Sequence, residues 1–478
     1  MKILKNYLYN IIYQIFIILV PIITVPYISR ILGPEGVGLN AYTNSIISYF
    51  VLIANLGLSL YGNRTIAYYR NDKIERSKRF IEICILKLIM MSISFLFLFI
   101  FLNIKIKYSY FLWIQSIQII AVGIDISWFF TGIEDFKKTV TRNVMVKLFS
   151  VIMIFVFVKQ TEDLHIYILI NALSALIGNM TLWTYMKKNL VLKKYNLNLK
   201  VHIFPVLSLF LPQIATTIFV SLNRLMLGNL STISQTGYFD NADKIVRICL
   251  SLVASIGTVT FPRIANFHKE KKKYEVNRYV NLTFNSVNLI SFPIVIGIII
   301  ISKPFSNLFF GSTFQGINQV LSILALELIF MGWSSVIGQQ YMVAINKVRG
   351  LTISMFCSVA ICFLGSLILL PHYGAKGAAI MSVISEATIA LIQFLFIRKY
   401  LNLKLLFNEI WKYALSSIIM FVSCYFINLV LNIQDFYLII IDIIIGVFFY
   451  VLLLFFFKVS LIKEILRLFN FNKRNGDL

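Results

Sequence analysis

The chain has 478 residues, of which 59% are hydrophobic and only 13% are charged, and its mean hydropathy is +0.83. This composition excludes an ordinary soluble globular protein. The formal net charge of +24 indicates basic loops beside anionic lipid rather than a nucleic-acid partner. The apolar runs are about 20 residues long and lack the alternating pattern of a transmembrane barrel, so we expect an all-α polytopic membrane protein.

The first two predicted spans, residues 11–31 and 38–62, form a membrane hairpin around a tight turn at residues 32–36. This hairpin carries proline, amide and arginine side chains, which cost free energy in lipid unless they face protein or water. They are Gln14, Pro21, Pro26, Arg30 and Asn55. We therefore expect the hairpin to line a polar space.

Twelve further apolar runs bring the predicted number of membrane spans to fourteen. They cover residues 80–102, 109–131, 141–158, 164–186, 203–227, 238–262, 280–302, 317–343, 351–371, 377–397, 411–432 and 437–457. An even number of spans places both chain termini on one side of the membrane. If that side is the cytoplasm, about 34 of the 44 Lys and Arg residues lie in the N-terminus and the cytoplasmic loops, and about seven lie in outward-facing segments. We expect a plasma-membrane protein with both termini in the cytoplasm.

An internal repeat relates two parts of the chain that lie 194 to 199 positions apart. The matched pairs are Arg30 with Arg224 (194), Gly38 with Gly237, and Arg64 with Arg263 (both 199). Because six spans separate the copies, the repeat is parallel, with a pseudo-two-fold axis along the membrane normal. The repeat predicts an N-terminal lobe in residues 1–200 and a C-terminal lobe in residues 201–400. Residues 401–478 then hold two extra spans and a basic cytoplasmic tail.

Residues 10–42 carry the pattern N-x-x-x-Q-I-F…P-x-x-T-x-P-Y-x-S-R-x-L-G-P-x-G-x-G…Y. This pattern resembles the polysaccharide transporter family of oligosaccharide-lipid flippases. The family belongs to the superfamily of multidrug, oligosaccharidyl-lipid and polysaccharide exporters, which also includes the lipid II flippases. The resemblance runs over nearly the whole chain, and it is most specific in the first sixty residues.

The resemblance implies two six-helix lobes around a central cavity, which opens alternately to the two sides of the membrane. The implied substrate is an undecaprenyl-pyrophosphate-linked oligosaccharide, which moves to the outer leaflet for capsule or exopolysaccharide biosynthesis. The protein would then be a transporter without cofactors, and not an enzyme. Its expected partners are this lipid-linked substrate, the bilayer, and the polysaccharide polymerase and glycosyltransferases of the same pathway. A lipid II flippase and an ion-coupled multidrug extruder of the same superfamily remain as alternatives.

A carrier for a pyrophosphate-linked glycan needs cations that face the substrate. The candidate substrate-binding residues lie at the ends of repeat-related spans and inside span eight, and they are Arg30, Arg64, Arg224, Lys244, Arg247 and Arg263. Alternatively, the arginines at helix ends extend to the lipid interface or bind backbone carbonyls. Lys244 and Arg247 share a helix face with Asp240 and Asp243, so ion pairing within the helix is the alternative role for these two cations.

Charged residues deeper in the spans are candidates for ion coupling. Lys87 in span three and Asp125 in span four have similar predicted depths and are expected to form an ion pair, which is either structural or coupled to transport. Glu327 and Glu386 are the deepest carboxylates of the second lobe, and each can carry a proton or bind Na⁺. Such a site would couple transport to an H⁺ or Na⁺ gradient; the alternative is a protonated acid bonded within the bundle. Asp442 is expected to be a solvated residue near a span end.

Overall fold

The computed structural model describes residues 2–104, 107–191, 193–431 and 433–462, and every regular element in these ranges is helical. The helices of the first half are α1 (Lys2–Asn55), α2 (Leu58–Tyr68), α3 (Lys73–Leu102), α4 (Ser109–Gln115), α5 (Ile117–Gly123), α6 (Ser127–Gly132), α7 (Phe136–Phe157), α8 (Leu164–Trp183) and α9 (Lys200–Leu230). The helices of the second half are α10 (Ile233–Lys269), α11 (Lys273–Phe310), α12 (Ile317–Ala325), α13 (Glu327–Ser334), α14 (Val348–Ile397), α15 (Leu403–Phe407), α16 (Ile410–Val430) and α17 (Asp435–Phe456). A π-helical turn, Ser335–Met342, continues α13.

Two helices are far longer than a membrane is thick, and each contains one residue with non-helical backbone angles. Helix α1 has 54 residues and α14 has 50, which correspond to about 80 and 75 Å at 1.5 Å per residue. Gly33 interrupts α1 at φ 64° and Gly374 interrupts α14 at φ 51°. A side chain is strained at such positive φ values, so glycine suits both positions. The predicted turn at residues 32–36 is confirmed, and its non-helical part is Gly33 alone.

The described helices have room for the predicted fourteen membrane crossings. In the described part of the chain, eleven helices are long and apolar enough to span a membrane. Helix α9 bends by 44° near its middle and is a twelfth candidate if its two parts form one span. Two of these twelve segments, Ile18–Tyr68 and Val348–Ile397, contain the interruptions at Gly33 and Gly374 and have room for two crossings each. Dividing both gives fourteen spans. The chain is thus a multi-pass membrane protein.

Two predicted segments differ in detail from the structure. The fourth span is not one helix, because α4, α5 and α6 replace it. The break before α6 follows from Asp125, whose carboxylate accepts hydrogen bonds from the backbone N–H and the hydroxyl of Ser127 at 3.0 and 2.9 Å. The predicted span 141–158 corresponds to α7, which begins earlier, at Phe136.

The contacts of the chain divide it into two compact units, residues 1–237 (unit 1) and residues 238–478 (unit 2). In unit 1, α9 packs along α1, and in unit 2, α16 and α17 pack on α11. Each unit has an aromatic core. Phe80 stacks on Trp128 in unit 1, with 5.5 Å between the ring centroids, and Phe284 lies 5.9 Å from Trp333 in unit 2. The lobe boundaries at residues 200 and 400 stay a prediction.

Candidate functional site

A polar cavity of about 410 Å³ lies between α1, α7 and α8 in unit 1, and we call it the α1/α7/α8 cavity. Its wall combines two cations with amide and hydroxyl groups: Arg142, Asn143, Lys147, Ser150, Asn171, Ser174 and Asn179. None of its lining residues is acidic. Polar and cationic side chains are costly among membrane-spanning helices, so their convergence on one cavity indicates a functional site.

Hydrogen bonds fix the position of the arginine in this cavity. The guanidinium of Arg142 donates to the side-chain carbonyl of Asn179 at 2.9 Å. The amide of Asn179 in turn donates to the backbone carbonyl of Ala121 at 2.7 Å, and the Asn179 side chain is buried. These two bonds anchor the Arg142 guanidinium between α7 and α8.

Sequence reasoning missed the α1/α7/α8 cavity, although Arg142 and Lys147 lie inside the predicted span 141–158. A usable signal was present in the spacing of the polar residues. Arg142 and Ser150 are eight residues apart on α7, and Asn171 and Asn179 are eight apart on α8. That spacing places each pair on one helix face.

A buried polar network joins α2, α3 and α9 in unit 1, and its centre is Glu82. The Glu82 carboxylate has an exposed fraction of 0%. It accepts hydrogen bonds from the Arg79 guanidinium at 3.0 Å, the His202 Nε2 at 2.8 Å and the Asn198 backbone N–H at 2.8 Å. The second ring nitrogen of His202 lies 2.6 Å from the hydroxyl of Tyr61. The network connects residues that are 141 positions apart in the chain.

Of the four arginines predicted from the repeat, Arg64 and Arg263 lie over a tyrosine ring, whereas Arg30 and Arg224 have other surroundings. In unit 1, Arg30 is exposed on α1 just before the Gly33 interruption, and Arg224 donates to the carbonyl of Val220 at 2.7 Å. The guanidinium of Arg64 lies over the ring of Tyr61 at 5.9 Å. In unit 2, Arg263 lies over the ring of Tyr279 at 5.7 Å and donates to its hydroxyl at 3.1 Å. Repeat-related Arg64 and Arg263 thus share the same type of aromatic contact.

The predicted ion pairs within α10 are present. Lys244 pairs with Asp240 at 2.6 Å, and Arg247 pairs with Asp243 at 2.8 Å. The two carboxylates are buried, whereas the side chains of the two cations are 34% and 38% exposed. The charge of each cation is balanced by a carboxylate of the same helix, which weakens its attraction for an anion. Their role in substrate binding stays a prediction.

The Lys87–Asp125 contact differs from the predicted ion pair. The Lys87 ammonium is fully buried and donates to the backbone carbonyl of Asp125 at 2.8 Å. The same carbonyl accepts from the indole N–H of Trp128 at 2.9 Å. The Asp125 carboxylate instead binds Ser127 at the start of α6, so the hydrogen bond between α3 and Asp125 runs through the main chain.

The two predicted deep carboxylates, Glu327 and Glu386, are buried in unit 2. Glu327 begins α13 and is 3% exposed, and Glu386 on α14 is 4% exposed. Glu386 lies within electrostatic range of the Arg247–Asp243 pair. The expectation for Asp442 was wrong: it is 2% exposed, and one of its oxygens accepts from Asn428 at 3.1 Å.

Asp442 also lines an apolar cavity of about 360 Å³ between α11, α16 and α17. All other lining residues of this cavity are aliphatic, sulfur-containing or aromatic, among them Leu289, Pro293, Met420 and Val447. Its walls suit a hydrocarbon chain rather than a polar molecule.

Solved structures of membrane transporters share this fold. A lipid II flippase in an inward closed conformation matches with a TM-score of 0.73 at 19% identity, over 96% of this chain and 100% of that chain. An inward-facing multidrug resistance transporter of the MATE family, in the MOP superfamily, matches with a TM-score of 0.59 at 15% identity, over 82% of this chain and 94% of that chain. At these identities the likeness shows the fold alone.

The chain belongs to the polysaccharide biosynthesis protein family, whose sequence model matches residues 3–268. The predicted family resemblance is thereby confirmed. A relative from Shigella dysenteriae, named as an O-antigen transporter, is 23% identical over 378 residues, which are 78% of this chain and 94% of that protein. The matched family segment contains the α1/α7/α8 cavity and the Glu82 network.

Proposed function

We propose that this protein is a flippase that carries an undecaprenyl-pyrophosphate-linked oligosaccharide across the plasma membrane by alternating access. The observation that carries this proposal is the α1/α7/α8 cavity, a cationic polar space inside a bundle of apolar membrane-spanning helices. The expected product of the pathway is a capsule or exopolysaccharide. The protein acts as a transporter and catalyses no covalent chemistry.

The chemistry of the substrate explains why both polar and apolar cavities are needed. A glycan and its pyrophosphate cannot cross hydrocarbon without a polar path, because each unsatisfied polar group costs several kcal/mol in lipid. In the α1/α7/α8 cavity, Arg142 and Lys147 supply positive charge, and the amides supply hydrogen bonds to sugar hydroxyls. The apolar cavity between α11, α16 and α17 fits part of a polyprenyl chain.

The comparisons support the oligosaccharide-lipid substrate over the alternatives. The Shigella relative is named for O-antigen transport and aligns over most of its length, whereas the lipid II flippase and the multidrug transporter share the fold at under 20% identity. The cationic cavity also favours an anionic substrate. A lipid II flippase would use the same chemistry, so it is the second outcome of the experiment below.

Transport against a gradient needs an energy source, and the buried carboxylates Glu327 and Glu386 are our proposed sites for coupling to H⁺ or Na⁺. Glu386 is the better placed of the two, since it lies within electrostatic range of the Arg247–Asp243 pair. Replacing Glu386 by Gln should leave the protein folded and abolish the effect of a protonophore or sodium ionophore on transport. An unchanged ionophore response would exclude Glu386 from coupling.

The test is the sidedness of the lipid-linked oligosaccharide in cells depleted of the protein. We expect repeat units to accumulate on the cytoplasmic leaflet and surface polysaccharide to disappear. Complementation with Arg142→Gln or Lys147→Gln should restore little polymer. Lys137→Gln, which removes a positive charge from an exposed position of the same helix, should restore it fully.

Two other outcomes would contradict the proposal. Normal polymer with cytoplasmic accumulation of lipid II would identify a lipid II flippase. Full complementation by the Arg142 and Lys147 variants, at normal abundance, would show that the α1/α7/α8 cavity does not hold the substrate.

A further inference from the structure

A second cavity of unit 1, of about 460 Å³, lies between α2, α3 and the first turns of α9, and we call it the α2/α3/α9 cavity. It is separate from the α1/α7/α8 cavity, with which it shares no lining residue. Two guanidinium groups, one imidazole and three phenol rings line it, and no lining residue is acidic. These groups belong to Arg64, Arg79, His202, Tyr61, Tyr68 and Tyr69.

The Glu82 network gives this cavity a fixed inner wall. Glu82 lies behind the lining residues, where its carboxylate accepts from both Arg79 and His202. It thereby orients both side chains, and its negative charge balances that of Arg79. His202 is 1% exposed and contacts the Tyr61 hydroxyl, so the wall is a connected polar array and not a set of mobile surface side chains.

Arg64 then supplies the excess positive charge of the cavity. Its guanidinium lies 5.9 Å from the centroid of the Tyr61 ring, and no carboxylate of the described residues forms an ion pair with it. Arg79 is paired with Glu82 and also approaches Glu75, so the binding of an anion depends mainly on Arg64.

We propose that the α2/α3/α9 cavity binds a phosphate group, with Arg64 as its principal cation. The planar guanidinium offers paired N–H donors whose spacing matches phosphate oxygens. The Tyr61 hydroxyl donates to His202 and so holds this wall in place, and the rings of Tyr68 and Tyr69 line the cavity beside it. The phosphate belongs either to the transported molecule, in which case the site rests on the proposed function, or to an anionic phospholipid headgroup.

The test uses the full chain in phosphatidylcholine nanodiscs, with inorganic pyrophosphate as the probe and calorimetry as the readout. Loss of one charge-assisted contact is worth about tenfold in affinity. We expect Arg64→Gln to weaken pyrophosphate binding by about that factor and Arg64→Lys to recover part of it. The matched control is Arg70→Gln, because Arg70 follows the same helix but pairs with Glu134 and does not line the cavity.

Phosphatidylglycerol in a second set of nanodiscs distinguishes the two sources of phosphate. If phosphatidylglycerol weakens pyrophosphate binding to the unaltered protein but not to Arg64→Gln, the site binds a lipid headgroup. If phosphatidylglycerol does not weaken pyrophosphate binding, the site is assigned to the transported molecule. Equal losses for Arg64→Gln and Arg70→Gln, or no pyrophosphate binding in either lipid, would overturn the proposal. Pyrophosphate binding that persists in a protein without flippase activity would refute the proposed function but not this site.

Discussion

Replacing Glu82 by Ala tests whether the buried network between α2, α3 and α9 stabilises unit 1. The substitution removes the acceptor of three hydrogen bonds, whose donors are Arg79, His202 and the backbone of Asn198. Glu75 provides a control on the same helix. Its carboxylate also approaches Arg79, at 3.6 Å, but is 37% exposed.

The expected cost follows from burial. Removal of one partner from a buried ion pair costs about 3–5 kcal/mol. The Arg79 side chain is 18% exposed and can regain some water, so we place Glu82→Ala near the lower limit, at about 3 kcal/mol. For Glu75→Ala, an exposed pair within a helix predicts about 0.5 kcal/mol or less.

The assay is unfolding in mixed micelles by titration with SDS, followed by tryptophan fluorescence. A double-mutant cycle with His202→Ala should give a coupling energy of about 1–2 kcal/mol, because the two side chains share one hydrogen bond. The reasoning would be refuted if Glu82→Ala and Glu75→Ala cost the same, or if the effects of Glu82→Ala and His202→Ala simply added.

Three further predictions concern packing and transport. Gly38→Ala should lower the free energy of unfolding by about 1–3 kcal/mol or prevent folding, because a methyl group there collides with backbone atoms at the start of α10. Gly297→Ala is the control: a methyl group there lies 3.9 Å from its nearest neighbour, so the same SDS titration should show no change or a gain in stability. Lys87→Met should keep normal abundance in membranes, because the carbonyl of Asp125 still accepts a hydrogen bond from the indole of Trp128. Lys87→Ala should lower abundance, because it leaves a cavity. Equal abundance of the two variants would contradict this prediction. If Arg30 and Arg224 contact the anionic substrate, cells with the Ala variants should lose most of their surface polysaccharide although the protein is present at normal abundance. The Lys variants should recover part of it. Normal polymer with both Ala variants would exclude substrate binding by these arginines.

Local sequence patterns predicted the spans and the turns between them well. Apolar runs of membrane-crossing length depend only on consecutive residues, and glycine marks the interruptions at Gly33 and Gly374 because few other residues tolerate positive φ. The ion pairs on α10 were also accessible, since residues four apart on a helix are neighbours. These features share one property, which is that the interacting groups are close in the sequence.

The sites depend on contacts between distant parts of the chain. Glu82 and His202 are 120 positions apart, and no periodicity within α3 or α9 indicates that they meet. Lys87 illustrates the limit even for neighbouring spans: depth alone predicted the carboxylate of Asp125 as its partner, but the local turn uses that carboxylate to cap α6 and presents the carbonyl instead.

The sequence by itself determined that this is an all-helical membrane protein of a polysaccharide biosynthesis family, because hydropathy, charge distribution and the first hairpin motif are local properties of the chain. The tertiary structure decided which of the many cations share a cavity. Arg142 gains its contact with Asn179 from the packing of α7 on α8, and Arg64 gains its place in a cavity from the return of α9 to α2 and α3. The physical reason is that the environment of a charge in a membrane protein is set by the neighbouring helices, which the order of residues within one helix does not specify.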